Sequence, residues 1–170
     1  MEKVSRSKGR PMKVLVTRDK IASAALKIVE RKGLESLSMS AVARSMRVST
    51  AALYNHISNK EELLALVQDD LIAKVDLSAL ELALEGEIGP YEGLRHWAWS
   101  YRDILAANIP LIRVITELPL QGSPQTTAMY ELLVQVIALA GVPEIAVITR
   151  LVALESFVFG SAYDVHAPLD

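Results

Sequence analysis

Ser38–Lys60 reads SMSAVARSMRVSTAALYNHISNK, and this stretch decides the fold of the N-terminal part. Ser38 stands where a helix N-cap is wanted, and the helix it opens runs to about Met46 with Val42 and Met46 facing inward. Ser49 caps another helix, to about His56, with Leu53 and Ile57 inward. Two short helices joined by a tight turn, the second locked across the first by apolar contacts, form a helix-turn-helix. The second helix, Thr50–His56, is the candidate reader of base pairs. Small side chains at Thr50, Ala51 and Ala52 let its backbone come close to a major groove. The Thr50 hydroxyl can bond a base edge, and an alanine methyl can touch a thymine methyl. Tyr54, His56 and Lys60 carry donors that suit phosphate oxygens, which fix register without reading sequence.

Working outward, Thr17 caps a helix over about Arg18–Lys32, with Ile21, Ala25, Ile28 and Val29 on one face and Gly33 as its stop. Residues 1–14 form a basic arm with Lys8 and Arg10 as candidates to track a minor groove. Residues 15–60 are then a three-helix DNA-binding domain. Ser58-Asn59-Lys60-Glu61 reads as a capping box that starts a fourth helix near Asn59, with Leu63, Leu64, Val67, Leu71 and Val75 along it.

The rest of the chain, 61–170, reads as a helical body for ligand binding and dimerisation. Gly86–Gly93 looks like a linker. Pro90 opens a helix to about Asn108, Pro110 restarts one to about Leu118, Ser123-Pro124 caps one to about Ala140, and Pro143 opens the last, to about His166. No strand pattern competes, so the fold class is all-α.

Net charge is −2, an average that hides a split. Residues 1–60 hold 13 of the 18 Lys and Arg against four acidic groups, a balance of +9, whereas 61–170 carry −11. A basic end on an acidic chain is the electrostatic footprint of nucleic-acid binding, and the acidic end should face away from phosphate. The chain has no cysteine, which removes disulfides, zinc-thiolate sites and thiol nucleophiles and fits a cytoplasmic setting. No uninterrupted apolar run reads as long enough to span a bilayer, so no membrane is expected. His56, His96 and His166 are scattered and no glycine-rich phosphate loop is present, so the sequence offers neither a metal site, a cofactor site nor a catalytic constellation.

In the body, Trp97 and Tyr101 fall on one stripe, where they line a ligand cavity or serve as plain core. Arg113, Met129 and Phe157 are further candidates for that cavity. The helices near 124–140 and 143–166 are too apolar for a small monomer to cover, and pairing with a second copy would bury them.

The pattern TRDKIASAALKIVERKGLESLSM at Thr17–Met39, followed by VSTAALYNHISNKEELL at Val48–Leu64, resembles the tetracycline-repressor (TetR/AcrR) family of bacterial regulators. Its most specific part is Leu53, Tyr54, His56, Lys60, Glu62, Leu63 and Leu64. The resemblance covers about residues 15–75; beyond them it is one of helical architecture. It implies phosphate contacts for Tyr54, His56 and Lys60, and base or near-base contacts for Ser40, Thr50, Ala51 and Ala52, with the capping Ser49 counted beside them. It also implies a homodimer through the last two helices and a small-molecule pocket in the body. One position departs from the pattern. The turn normally holds glycine, and here it holds Arg47, which must adopt positive φ at a cost of about 1 kcal/mol and in exchange can reach a phosphate.

The expected function is that of a ligand-responsive transcriptional regulator, a repressor that binds a near-palindromic duplex operator as a dimer and is released by a small molecule. Two alternatives stand beside it: a DNA-binding protein without a ligand, and a module whose basic end binds an acidic protein.

Overall fold

The computed structural model describes residues 16–117 and 123–165. Lys8, Arg10 and His166 lie outside them. The described residues form nine α-helices and no strand: α1 Arg18–Lys32, α2 Met39–Met46, α3 Thr50–Tyr54, α4 Lys60–Ile72, α5 Ser78–Glu85, α6 Pro90–Ala106, α7 Ile109–Glu117, α8 Pro124–Leu139 and α9 Glu144–Asp164.

The first three helices begin at the capping residues read from the sequence. Thr17 accepts from Lys20 N–H, Ser38 from Ala41 N–H and Ser49 from Ala52 N–H, at 3.3, 3.2 and 3.2 Å. Ile21, Ala25, Val29, Leu37, Val42, Leu53 and Ile57 are buried together under Leu63 and Val67 of α4. α4 packs on α1 on one side and on α8 on another, so it belongs physically to both halves.

Some readings need correction. The capping box at α4 sits one residue later than Ser58–Glu61. Asn59 Oδ1 accepts from Glu62 N–H at 2.8 Å, and Glu62 Oε2 accepts from Ser58 N–H at 2.7 Å. Secondly, 78–85 form a helix, α5. Leu80 and Ala83 point inward from it, and Asp76 Oδ1 accepts from the Ser78 amide and hydroxyl just before its start, at 3.0 and 2.6 Å. Two turns of good helix formers are too short to announce themselves by periodicity. α9 is 21 residues long and passes for a bilayer-spanning helix by length and composition alone, but Arg150 and Glu155 interrupt its apolar run, as the sequence reading expected. Only 22% of its most apolar window is buried, so much of that surface awaits a cover.

Gly93 belongs to α6 rather than to a linker, and it lies where α5 crosses. A Cβ there would sit 2.7 Å from Ala79 O and 2.9 Å from Ala83 Cβ. The bare backbone is what lets the two helices touch. Gly93→Ala should therefore lower the stability of the protein by about 1–3 kcal/mol through overpacking, against a helix-propensity gain of about 1 kcal/mol. A thermal or urea melt reads the sign, and a midpoint equal to or above wild type contradicts this packing.

Candidate nucleic-acid interface

The site is built on α2, the turn and α3. Arg47 holds φ 57° and ψ 41°, the only non-glycine positive φ among the described residues. In that left-handed conformation its N–H closes on Arg44 O at 3.2 Å, and Val48 N–H closes on Ala43 O at 3.0 Å. The chain thus turns sharply enough for Ser49 to start α3. Arg47 thus adopts the left-handed conformation that glycine takes most readily.

α3 is five residues long, ending at Tyr54, two residues short of the expected His56. Leu53 at 0% and Ile57 at 1% exposure anchor it, while Tyr54 is 54% exposed. Ser40, Arg47, Ser49, Ala51 and Lys60 are exposed, and Thr50, Ala52 and His56 are half-buried. The candidate contact residues thus flank one short helix whose apolar side is held inside. Arg44, exposed and one turn beyond Ser40 on the same face of α2, adds a cation that sequence reading passed over.

Sequence reasoning also missed what fixes the end of α3. Arg18 Nη1 donates to His56 O at 2.7 Å and to Glu62 Oε1 at 2.6 Å. One guanidinium at the start of α1 therefore joins the chain just past α3 to the first turn of α4. Glu62 is held below the usual carboxylate range, first by the Ser58 N–H and next by the Arg18 hydrogen bond. Only contact across 44 residues reveals such a pair; nothing local in the sequence signals it.

The body holds a second cluster. Trp97, Tyr101 and Met129 are fully buried. The Trp97 and Tyr101 rings are 5.5 Å apart, and Phe159 meets Tyr101 edge-on at 6.0 Å. Glu155 on α9 lies among them. Its Oε1 accepts from Tyr130 Oη at 2.6 Å and Tyr101 Oη at 3.3 Å. Burial pushes the Glu155 carboxyl up, and the two phenol hydrogen bonds oppose that rise. Burial likewise raises both tyrosines. Gln68 Nε2 and Oε1, Trp97 Nε1, Asn108 Oδ1, Ser123 Oγ and Thr126 Oγ1 are buried without a hydrogen-bond partner. Each such atom costs on the order of 1–3 kcal/mol unless something satisfies it.

Two of the five expected ligand residues are elsewhere. Arg113 is exposed on α7. Phe157 is 73% exposed and lines an outer cleft of about 300 Å³ with Trp99 and Arg102, whose guanidinium lies 4.0 Å over the Trp99 ring. Phe157 is two positions from Glu155, which turns it away from the interior by more than half a helical turn. Tyr130 and Glu155, both half-buried, stand beside Tyr101 instead.

Two predictions follow from these placements. Arg47→Gly removes the left-handed strain and should raise stability by up to about 1 kcal/mol in a denaturant melt; a loss would mean that the Arg47 side chain holds the turn. The two carboxylates should act with opposite signs on stability against pH. Glu62 is depressed in the fold, so its contribution is present above the unfolded carboxylate pKa and disappears on acidification below about pH 4. Glu155 is raised, so its ionisation works against the fold at neutral pH and stops doing so on acidification. Glu62→Gln should thus flatten the acid limb of the stability curve, and Glu155→Gln should gain stability at pH 7 relative to pH 4. Equal effects at both pH values would contradict the environments described.

Residues 21–67 match the family described as bacterial regulatory proteins, tetR family. An HTH-type transcriptional regulator of Saccharopolyspora erythraea is 31% identical over 94% of this chain and 63% of its own length. The chain therefore spans less than two thirds of the curated relatives it matches. Among solved structures, the Streptomyces coelicolor TetR family protein ActR in complex with (S)-DNPA is 27% identical with a TM-score of 0.75, over 88% of this chain and 71% of that one. BioQ with its natural double-stranded DNA operator is 25% identical with a TM-score of 0.71, over 88% of this chain and 87% of that one. The matched helices are those that carry the Ser49 cap, the Arg47 turn and the buried Leu53 and Ile57, and over residues 21–67 this chain carries the N-terminal region of the tetR family of bacterial regulatory proteins.

Proposed function

We propose that this protein is a ligand-responsive transcriptional repressor that reads a near-palindromic duplex operator as a homodimer. The observation that carries the reading is α3, which exposes Ala51 and Tyr54 and leaves Thr50 and Ala52 half-buried at its surface while Leu53 and Ile57 are sealed inside. Thr50 reads a base edge, with Ala51 and Ala52 at closest approach and Ser40 beside them. Ser49 sets the start of the helix. Tyr54, His56, Lys60 and Arg47 hold phosphates, and Lys8 and Arg10 follow the minor groove. BioQ, with its operator, supplies a relative in which this fold meets duplex DNA.

The working division is a basic arm at 1–14, a DNA-binding domain at 15–60 and a ligand-binding and dimerisation body at 61–170. Leu139, Ile145, Ile148 and Val152 are 52, 94, 62 and 54% exposed on α8 and α9. An apolar face of that kind is a protein interface in waiting. Pairing it with a second copy gives a four-helix seam and two reading heads. It is also the reason to read α9 as an interface helix of a cytoplasmic protein. The effector site is the interior around Trp97, Tyr101, Met129, Tyr130 and Glu155, where Trp97 Nε1 is buried without a hydrogen-bond partner. ActR, bound to (S)-DNPA, is a relative of this fold that takes a small molecule. A ligand that swells this interior changes the separation of the heads, which must match the groove repeat, and DNA is released.

The test is binding to duplex DNA across a salt series. Wild type should show a log–log slope of about −0.9 per phosphate neutralised. Lys60→Ala should weaken all sequences alike and reduce that slope by about one phosphate, whereas Thr50→Ala should change base preference by about 1–3 kcal/mol at one position. Identical behaviour of the two variants, or salt-independent binding, refutes the assignment.

A further inference from the structure

The start of α8 is capped from another helix. Ser123 holds the cap position, yet its hydroxyl is buried without a hydrogen bond and caps nothing. The free amides of the first turn turn instead to α4. Gln125 N–H and Thr126 N–H both donate to Asp69 Oδ1, at 2.8 and 3.2 Å, from 56 and 57 residues away.

Asp69 is out of place by the rules of its own helix. It lies in the last turn of α4, where the helix dipole disfavours a carboxylate. Its neighbour Asp70 is offset locally by Lys74 at 3.7 Å. Asp69 is offset by the positive end of α8, whose own first turn has no acidic residue. The carboxylate therefore gains from a second helix what it loses on its own, and the gain is available only while α4 and α8 keep this distance.

α4 carries a second tie, at Glu62. Glu62 and Asp69 are seven positions apart, which places them on nearly the same face of α4, two turns from each other. The first is bonded to Arg18, and through it to the carbonyl just past α3. The second is bonded to the helix that carries part of the apolar face proposed to join two copies. We infer that Asp69 is a positioning residue for DNA reading: it pins α4 to α8, so that the separation of the two reading heads follows the body. This rests on the function proposed above. It assigns to one carboxylate the joint between the reading end and the body.

The test uses the full chain and a duplex enriched by the wild-type protein from a random pool, remade with one base pair added or removed between its half-sites. Asp69→Ala should bind the best spacing roughly five- to tenfold more weakly and should discriminate less among the three spacings. Its base preference within a half-site should stay that of wild type, which a general loss of fold would not allow. Asp69→Asn keeps an acceptor oxygen for both amides and should recover most of the spacing discrimination. Amide exchange on the wild type gives a readout that needs no variant: duplex binding should change protection at Gln125 and Thr126. The inference is overturned if Asp69→Ala keeps wild-type discrimination, if Asn behaves as Ala, or if those amides ignore the duplex. Failure of the wild type to enrich any duplex would instead remove the DNA-reading proposal itself.

Discussion

A helix of five residues cannot hold itself. Nucleation costs more than so short a ladder of hydrogen bonds returns, so α3 exists only because its surroundings impose it. Three constraints do so. Ser49 satisfies its first turn, Leu53 and Ile57 pin its inner side to the core, and Arg18 grips the carbonyl of His56 just beyond its end. The grip is the least replaceable of these, because the same guanidinium also holds Glu62. The attitude of the reading helix is thereby tied to α1 and α4 together. A movement of the first turn of α4 would strain the Arg18 hydrogen bond that holds the end of α3.

Seen this way, α4 is the shaft of the molecule. Its first turn is bonded to the reading end and its last turn to the body, and its buried side contributes to one continuous core. The charge split follows the same axis. The first 60 residues carry +9 and the remainder −11, a distribution that would turn α3 toward a polyanion and the body away from it. The body's own surplus is apolar. Its last two helices expose more aliphatic surface than a monomer of this size has reason to keep.

The sequence was most legible where the determinants were local. Thr17, Ser38 and Ser49 cap the helices they were expected to cap, and Arg47 takes the left-handed turn expected of it. These signals operate within four residues, so a linear reading captures them. It failed where the partner lies far along the chain. Ser123-Pro124 has the look of a local cap, and Asp69 does that work from another helix. Arg18, Glu62 and Glu155 read as ordinary charges until the fold brings their partners to them. Among the candidate ligand residues, Trp97 and Tyr101 are internal as their stripe implied, Met129 is buried too, and Arg113 and Phe157 face out. α5 was missed because two turns between a loop and a glycine give too short a pattern to count.

The absence of cysteine allows the central claim, that α3 enters the major groove at two places one turn apart, to be tested directly. A single cysteine at Asn55, exposed at the end of α3, can carry a tethered DNA-cleaving chelate. On an enriched duplex, cuts should fall in two clusters separated by about one helical turn or a whole multiple of it. The same chelate on Gln135, exposed on α8, should give none. Cleavage from Gln135 with silence from Asn55 would contradict the account.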